Sequence, residues 1–127
     1  MKLLIDTQLL LWTSGQSSRM PRAARKLIED PRNELIFSAA SIWEIAIKSA
    51  RRDDLEVEPR ILRRNLLDNG YVELSVTSDH AVGIDVLPLL HKDPIDRLLL
   101  AQALVEGLTL LTTDERLVGY PGPVRKV

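Results

Sequence analysis

The chain has 127 residues, of which 45% are hydrophobic and 28% charged, a balance that suits one globular domain with its own core. It contains no cysteine, which excludes a disulfide framework, a thiolate nucleophile and a cysteine zinc site. The net charge is −1, so contact with nucleic acid must rely on local patches and a bound cation rather than on a basic surface.

Lys2–Ile5 is a short apolar run of the kind that forms a buried strand, and Asp6 ends it. An apolar run this short is not a signal peptide, and no stretch approaches the roughly 18 apolar residues that span a membrane. A soluble, cytoplasmic protein is expected. A short helix over Thr7–Trp12 follows. Pro21 opens a second helix, Arg22–Glu29, with Ala23, Leu27 and Ile28 inward, and Asp30–Pro31 closes it. Glu34–Ser38 reads as the second strand. Ala39–Arg52 reads as a helix, with Ile42, Ile45, Ala46 and Ser49 at i, i+3, i+4 and i+7. A polar connection over Asp53–Pro59 leads into a helix over Arg60–Asn69, stopped by Asn69–Gly70. Tyr71–Val76 is the third strand, and Ser78–Val86 a helix capped by Thr77 or Ser78. Pro94–Glu106 is the strongest helix, ended by Gly107. Leu108–Thr112 is the fourth strand, and Val124–Val127 adds an edge strand. Such strand–helix alternation predicts an α/β fold with a mainly parallel sheet and helices on both faces. No repeat, low-complexity segment or linker divides residues 1–127.

Asp6, Asp96 and Asp114 each stand beside a junction between an apolar run and a helix. In an open parallel sheet, ligands bind beyond the carboxyl ends of the strands, where residues far apart in sequence gather. Each acid also suits a structural role. Asp93–Pro94–Ile95–Asp96 is a good helix start, with an Asp cap and Pro at the first position. Asp6 and Asp114 suit caps in the same way, and Glu44 with Lys48 forms a helical i, i+4 pair. Capping does not require these acids to share one sheet edge, whereas a cation site does. Carboxylates gathered there repel one another, and Mg²⁺ or Mn²⁺ is the hard cation that oxygen ligands suit.

Other patterns carry less. His80 and His91 have no metal-like i, i+4 partner, Trp12 and Trp43 read as core residues, and neither a phosphate-cradling glycine loop nor a Gly-x-Ser-x-Gly elbow occurs. Lys48, Arg51, Arg52, Arg60, Arg63 and Arg64 form a local basic concentration, read either as a solvated face or as a phosphate-contact rim.

Four stretches carry a family resemblance: Leu3–Thr7, Ser41–Lys48, His91–Ala103 and Leu110–Asp114. In this order and spacing the chain resembles PIN-domain proteins, and more narrowly the VapC-type toxins of type II toxin–antitoxin pairs. The resemblance implies a three-layer α/β/α fold and an endoribonuclease that hydrolyses RNA with Mg²⁺ or Mn²⁺. It also implies a homodimer and a cognate antitoxin protein. Its site residues map onto Asp6, Glu44, Asp96 and Asp114, with Asp6, Asp96 and Asp114 as metal ligands. Thr7, Asp93, Thr112 and Thr113 are auxiliary candidates, Asp93 first as a cap. Lys48, Arg51 and Arg52 are candidate RNA contacts. A receiver domain would carry an early acid pair, and a haloacid-dehalogenase-type phosphatase a second Asp where Gln8 stands. An inactive PIN-like domain that only binds RNA or a partner would lack one of the acids, and none is missing. A housekeeping PIN nuclease would share them all.

Overall fold

The computed structural model describes residues 1–50, 57–89, 92–120 and 122–127. Five parallel strands, β1 (Lys2–Ile5), β2 (Glu34–Ser38), β3 (Val72–Leu74), β4 (Thr109–Thr112) and β5 (Val124–Lys126), form one sheet in the order β3-β2-β1-β4-β5. Helices α1 (Thr7–Gly15), α2 (Arg22–Glu29), α3 (Ala39–Ala50) and α4 (Pro59–Asp68) connect β1, β2 and β3. Helices α5 (Ser78–Gly83) and α6 (Pro94–Glu106) return the chain to β4, and α7 (Glu115–Val118) leads to β5.

Successive strand residues face opposite sides of the sheet, and each side has its own core. Leu3, Ile5, Phe37 and Leu111 pack with Leu9, Leu10, Ala24, Ile45, Leu62 and Leu66 from α1–α4. Leu4, Ile36 and Leu110 pack with Ile95, Leu99, Leu100 and Ala103 of α6 and Leu117 of α7. Both faces of β1 and β4 are therefore covered, which explains their near-continuous apolar sequence. The strand order places a topological switch point between β1 and β4, where the chain leaves toward opposite faces of the sheet. A crevice opens there at the carboxyl ends, and Asp6 N donates to Leu111 O (3.1 Å) across its floor.

The elements follow the expected order, with local departures. Helix α1 runs to Gly15 rather than Trp12, and β3 is shorter than Tyr71–Val76. In α2 the buried residue is Ala24 rather than Ala23, because Ala24, Leu27 and Ile28 share the i, i+3, i+4 face. Trp43 is 60% exposed instead of core. It lies across α3 from Ser41 and Ile45, which point inward. Trp12 packs partly buried against the α1–α4 core.

His80 is fully buried, and its environment is structural. Its Nδ1 accepts from Thr77 N (3.0 Å) in a capping box, and its Nε2 meets Glu106 Oε2 at 2.8 Å. Because Nδ1 accepts a backbone N–H, Nε2 carries the proton given to Glu106, which ties α5 to α6. His91, Arg51 and Arg52 lie outside the described residues.

Candidate active site

Each candidate acid is delivered by its own junction. Asp6 is the N-cap of α1, with extended backbone angles and Oδ1 accepting from Leu9 N at 2.9 Å. Ser38 Oγ accepts from Ala40 N (3.0 Å), starting α3 directly at the end of β2. That start places Ser41, Glu44 and Lys48 on one face, spaced by three and four residues. Asp93 caps α6 by accepting from Ile95 N (2.9 Å) and Asp96 N (3.2 Å), and Pro94 at the first position tolerates its missing N–H. Asp96 therefore sits on the first turn of α6. Asp114 caps α7 by accepting from Arg116 N at 2.9 Å.

These junctions meet in one cleft of about 300 Å³ lined by Asp6, Thr7, Gln8, Leu11, Glu44, Lys48, Asp93, Asp96, Thr113 and Asp114. All four principal acids face it, and so do Thr7, Thr113 and Lys48 among the secondary candidates. Thr112 stands behind it, fully buried, as a relay. Its Oγ1 accepts from Asp114 N (3.0 Å) and donates to Asp6 Oδ2, so one hydroxyl fixes the spacing of two strand-end acids. Thr7 Oγ1 donates to Ser41 Oγ (2.9 Å), tying the α1 corner to α3.

The acids differ in electrostatic state. Asp6 is 6% exposed, and burial pushes its carboxyl above the usual range. Hydrogen bonds from Thr112, Leu9 N and the Thr113 backbone oppose that shift, and the Asp114 charge adds to it. Glu44 pairs with Lys48 at 3.6 Å, its side chain 14% exposed. Asp114 is gripped by Arg116 through two side-chain bonds, Nε to Oδ1 at 3.0 Å and the terminal nitrogen to Oδ2 at 2.8 Å.

The donor chemistry suits a hard cation: several carboxylates with hydroxyls behind them, and one carboxylate buried beside a second acid. Among the described residues, no three acidic or histidine side chains stand tightly enough to hold an ion as they are placed. Glu44 and Asp114 are instead turned onto Lys48 and Arg116. Ser41, Gln8, Leu11 and Arg116 were not apparent as site residues from sequence. For Ser41 the available signal was its position three residues before Glu44, and for Arg116 its position two residues after Asp114.

The fold is an open parallel α/β sheet with carboxylates from four elements at its switch point, the place where such folds bind their ligands. The chain belongs to the PIN domain family, whose model matches residues 3–122. It is 28% identical over 121 residues to Ribonuclease VapC22 of Mycobacterium tuberculosis, covering 94% of this chain and 92% of that protein. Among solved structures, it shares its fold with a VapBC2 complex of Rickettsia felis bound to a promoter DNA fragment. The TM-score is 0.77 at 14% identity, over 99% of this chain and 98% of that one. A toxin–antitoxin complex from Klebsiella pneumoniae matches with TM-score 0.62 at 21% identity, over 98% and 99% of the two chains.

Proposed function

We propose that this chain is a VapC-type toxin, an endoribonuclease that hydrolyses RNA phosphodiester bonds in the acidic cleft with Mg²⁺ or Mn²⁺. The observation that carries the reading is the convergence of Asp6, Glu44, Asp96 and Asp114, from four separate elements, in one cleft at the switch point. The PIN family and the ribonuclease relative support the same reading.

A bound divalent cation supplies charge neutralisation at the scissile phosphate and a water of lowered pKa. Asp6, Asp96 and Asp114 would hold it. Asp6 is already fixed for the task, since Leu9 N and Thr112 orient both of its oxygens. Glu44 approaches from a helix rather than a strand end, so it orients the attacking water and accepts its proton. Thr7 and Thr113 line the cleft and offer hydroxyls to water or phosphate. Lys48 faces the same cleft and contacts the RNA backbone. Asp93 remains the cap of α6 and adds negative charge at the rim.

The partner reading rests on a groove. Gln8 and Leu11 line both the acidic cleft and a larger hollow of about 700 Å³ between α1 and α4, which also exposes Ile61, 57% accessible. A second hollow shares Ser14, Leu62 and Asn65 with it and continues toward Tyr71. An antitoxin segment seated along α1 and α4 would cover Leu11, Val57, Ile61 and Leu62 in this mixed polar and apolar hollow and reach the acids in one stretch. Ala39, Trp43, Ala46, Ile47 and Ala50 form a partly exposed apolar stripe along α3 beside the exposed Lys48, a stripe that suits an isologous homodimer. Among the described residues no helix is long and apolar enough to cross a membrane.

The test is cleavage of a structured RNA by purified protein with Mg²⁺ or Mn²⁺, with chelator and with Asp96→Asn. Cleavage that needs the cation and disappears in a folded Asp96→Asn variant supports the reading. Cation-independent cleavage, or unchanged activity in that variant, overturns it. Expression of the wild type alone should arrest growth, and Asp6→Ala should relieve it.

A further inference from the structure

Arg116 has an unusual position for a basic side chain. It stands on the first turn of α7, yet its guanidinium grips Asp114, an acid of the cleft, by a two-bond fork. The Asp96 and Asp93 charges act on Arg116 as well. It is 67% exposed, so nothing in the packing prevents it from swinging into solvent. The fork engages the two carboxylate oxygens that a cation held by Asp114 would need.

We infer that Arg116 is the built-in counter-ion of the cleft, competing with the divalent cation for Asp114 and, once displaced, contacting the phosphate backbone of the RNA. The inference rests on the nuclease reading above. A guanidinium released at the rim keeps its charge and its planar fork, the form that pairs bidentately with phosphate. The site then exchanges partners: acid with arginine when empty of cation, acid with cation and arginine with phosphate when loaded.

The probe is Mn²⁺ alone, titrated calorimetrically into the full chain as wild type, Arg116→Ala, Arg116→Lys and Asp6→Asn. Arg116→Ala should bind Mn²⁺ about two- to fivefold more tightly, the scale expected of an exposed ion pair. Arg116→Lys should fall between the two, because an ammonium cannot fork. With saturating Mn²⁺ and a 2′-O-methyl oligoribonucleotide, Arg116→Ala should bind the oligonucleotide more weakly, with a salt slope lower by about one. Equal or weaker Mn²⁺ binding by Arg116→Ala, or unchanged oligonucleotide affinity, overturns the inference. If the wild type binds Mn²⁺ and Asp6→Asn does not, the nuclease reading stands even where the Arg116 inference fails. If no variant takes up Mn²⁺, both fall together.

Discussion

The β1–α1 and β4–α7 corners are built alike and behave differently. Both place an Asp after a parallel strand, in extended conformation, as the N-cap of the next helix. They stand side by side at the switch point, joined through the Thr112 hydroxyl. Asp6 heads a long helix packed under α3 and is nearly sealed, so desolvation dominates and its carboxyl resists ionisation. Asp114 heads a one-turn helix at the rim, where Arg116 reaches it and pairs with it through two hydrogen bonds. One residue type in one capping geometry thus yields a buried, desolvated acid and a half-buried acid paired with an arginine.

The largest effect expected is on activity at the buried corner. Asp6→Asn should lower RNA cleavage by about 10²- to 10³-fold or more, the scale of removing one preorganised electrostatic group. A fluorogenic RNA assay measures it, and a smaller loss than that of Asp114→Asn would reverse the ranking of the two corners.

Thr112→Val tests the link between them. It removes the donor to Asp6 and the acceptor for Asp114 N while keeping shape, so activity should fall about 10- to 100-fold, as for partners that orient ligands. Retained cleavage at saturating Mn²⁺ would show that the corners set their spacing independently.

Stability should move the opposite way from activity at Asp6. Because its folded pKa is raised, the native state holds the proton more tightly than the unfolded chain. The stability linked to that proton is present below about pH 4, the unfolded carboxylate range, and is lost as pH rises through the folded pKa. Without metal at neutral pH, Asp6→Asn should therefore be more stable than wild type by about 0.5–2 kcal/mol, with the gap closing toward pH 4. Thermal melts across pH decide this, and a gap that widens on acidification would contradict it.

The smallest effect should come at the rim. Asp114→Asn should leave the melting temperature essentially unchanged while impairing cleavage, since its partner is solvent-exposed. A marked loss of stability would mean that the cap of α7 matters more than its charge.

Much of the fold was legible because periodicity and punctuation agree along the chain. Pro21, Asp93–Pro94 and Gly107 mark helix ends where the helices begin or stop, and the apolar runs of β1 and β4 announce strands covered on both faces. Asp6, Asp96 and Asp114 were legible as candidates for the same reason, each falling at a junction, whereas mid-helix Glu44 was singled out only by the family resemblance. Trp43 was misread because an apolar helical pattern shows which residues share a face but not what covers it. Arg116 gave little sign, since an arginine two residues after an acid looks like any solvated pair.

By itself the sequence determined the element order, the parallel α/β class and the presence of an Asp at three helix starts, because these follow from local sterics and burial patterns. Only the tertiary structure decided the rest. The strand order β3-β2-β1-β4-β5 brings Asp6 and Asp114 together, packing of α3 and α6 adds Glu44 and Asp96, and solvent access separates the buried acid from the half-buried one. A cap and a cleft carboxylate use the same residue in the same backbone conformation. What distinguishes them is the charge and solvent brought in by distant segments, and local sequence does not encode that.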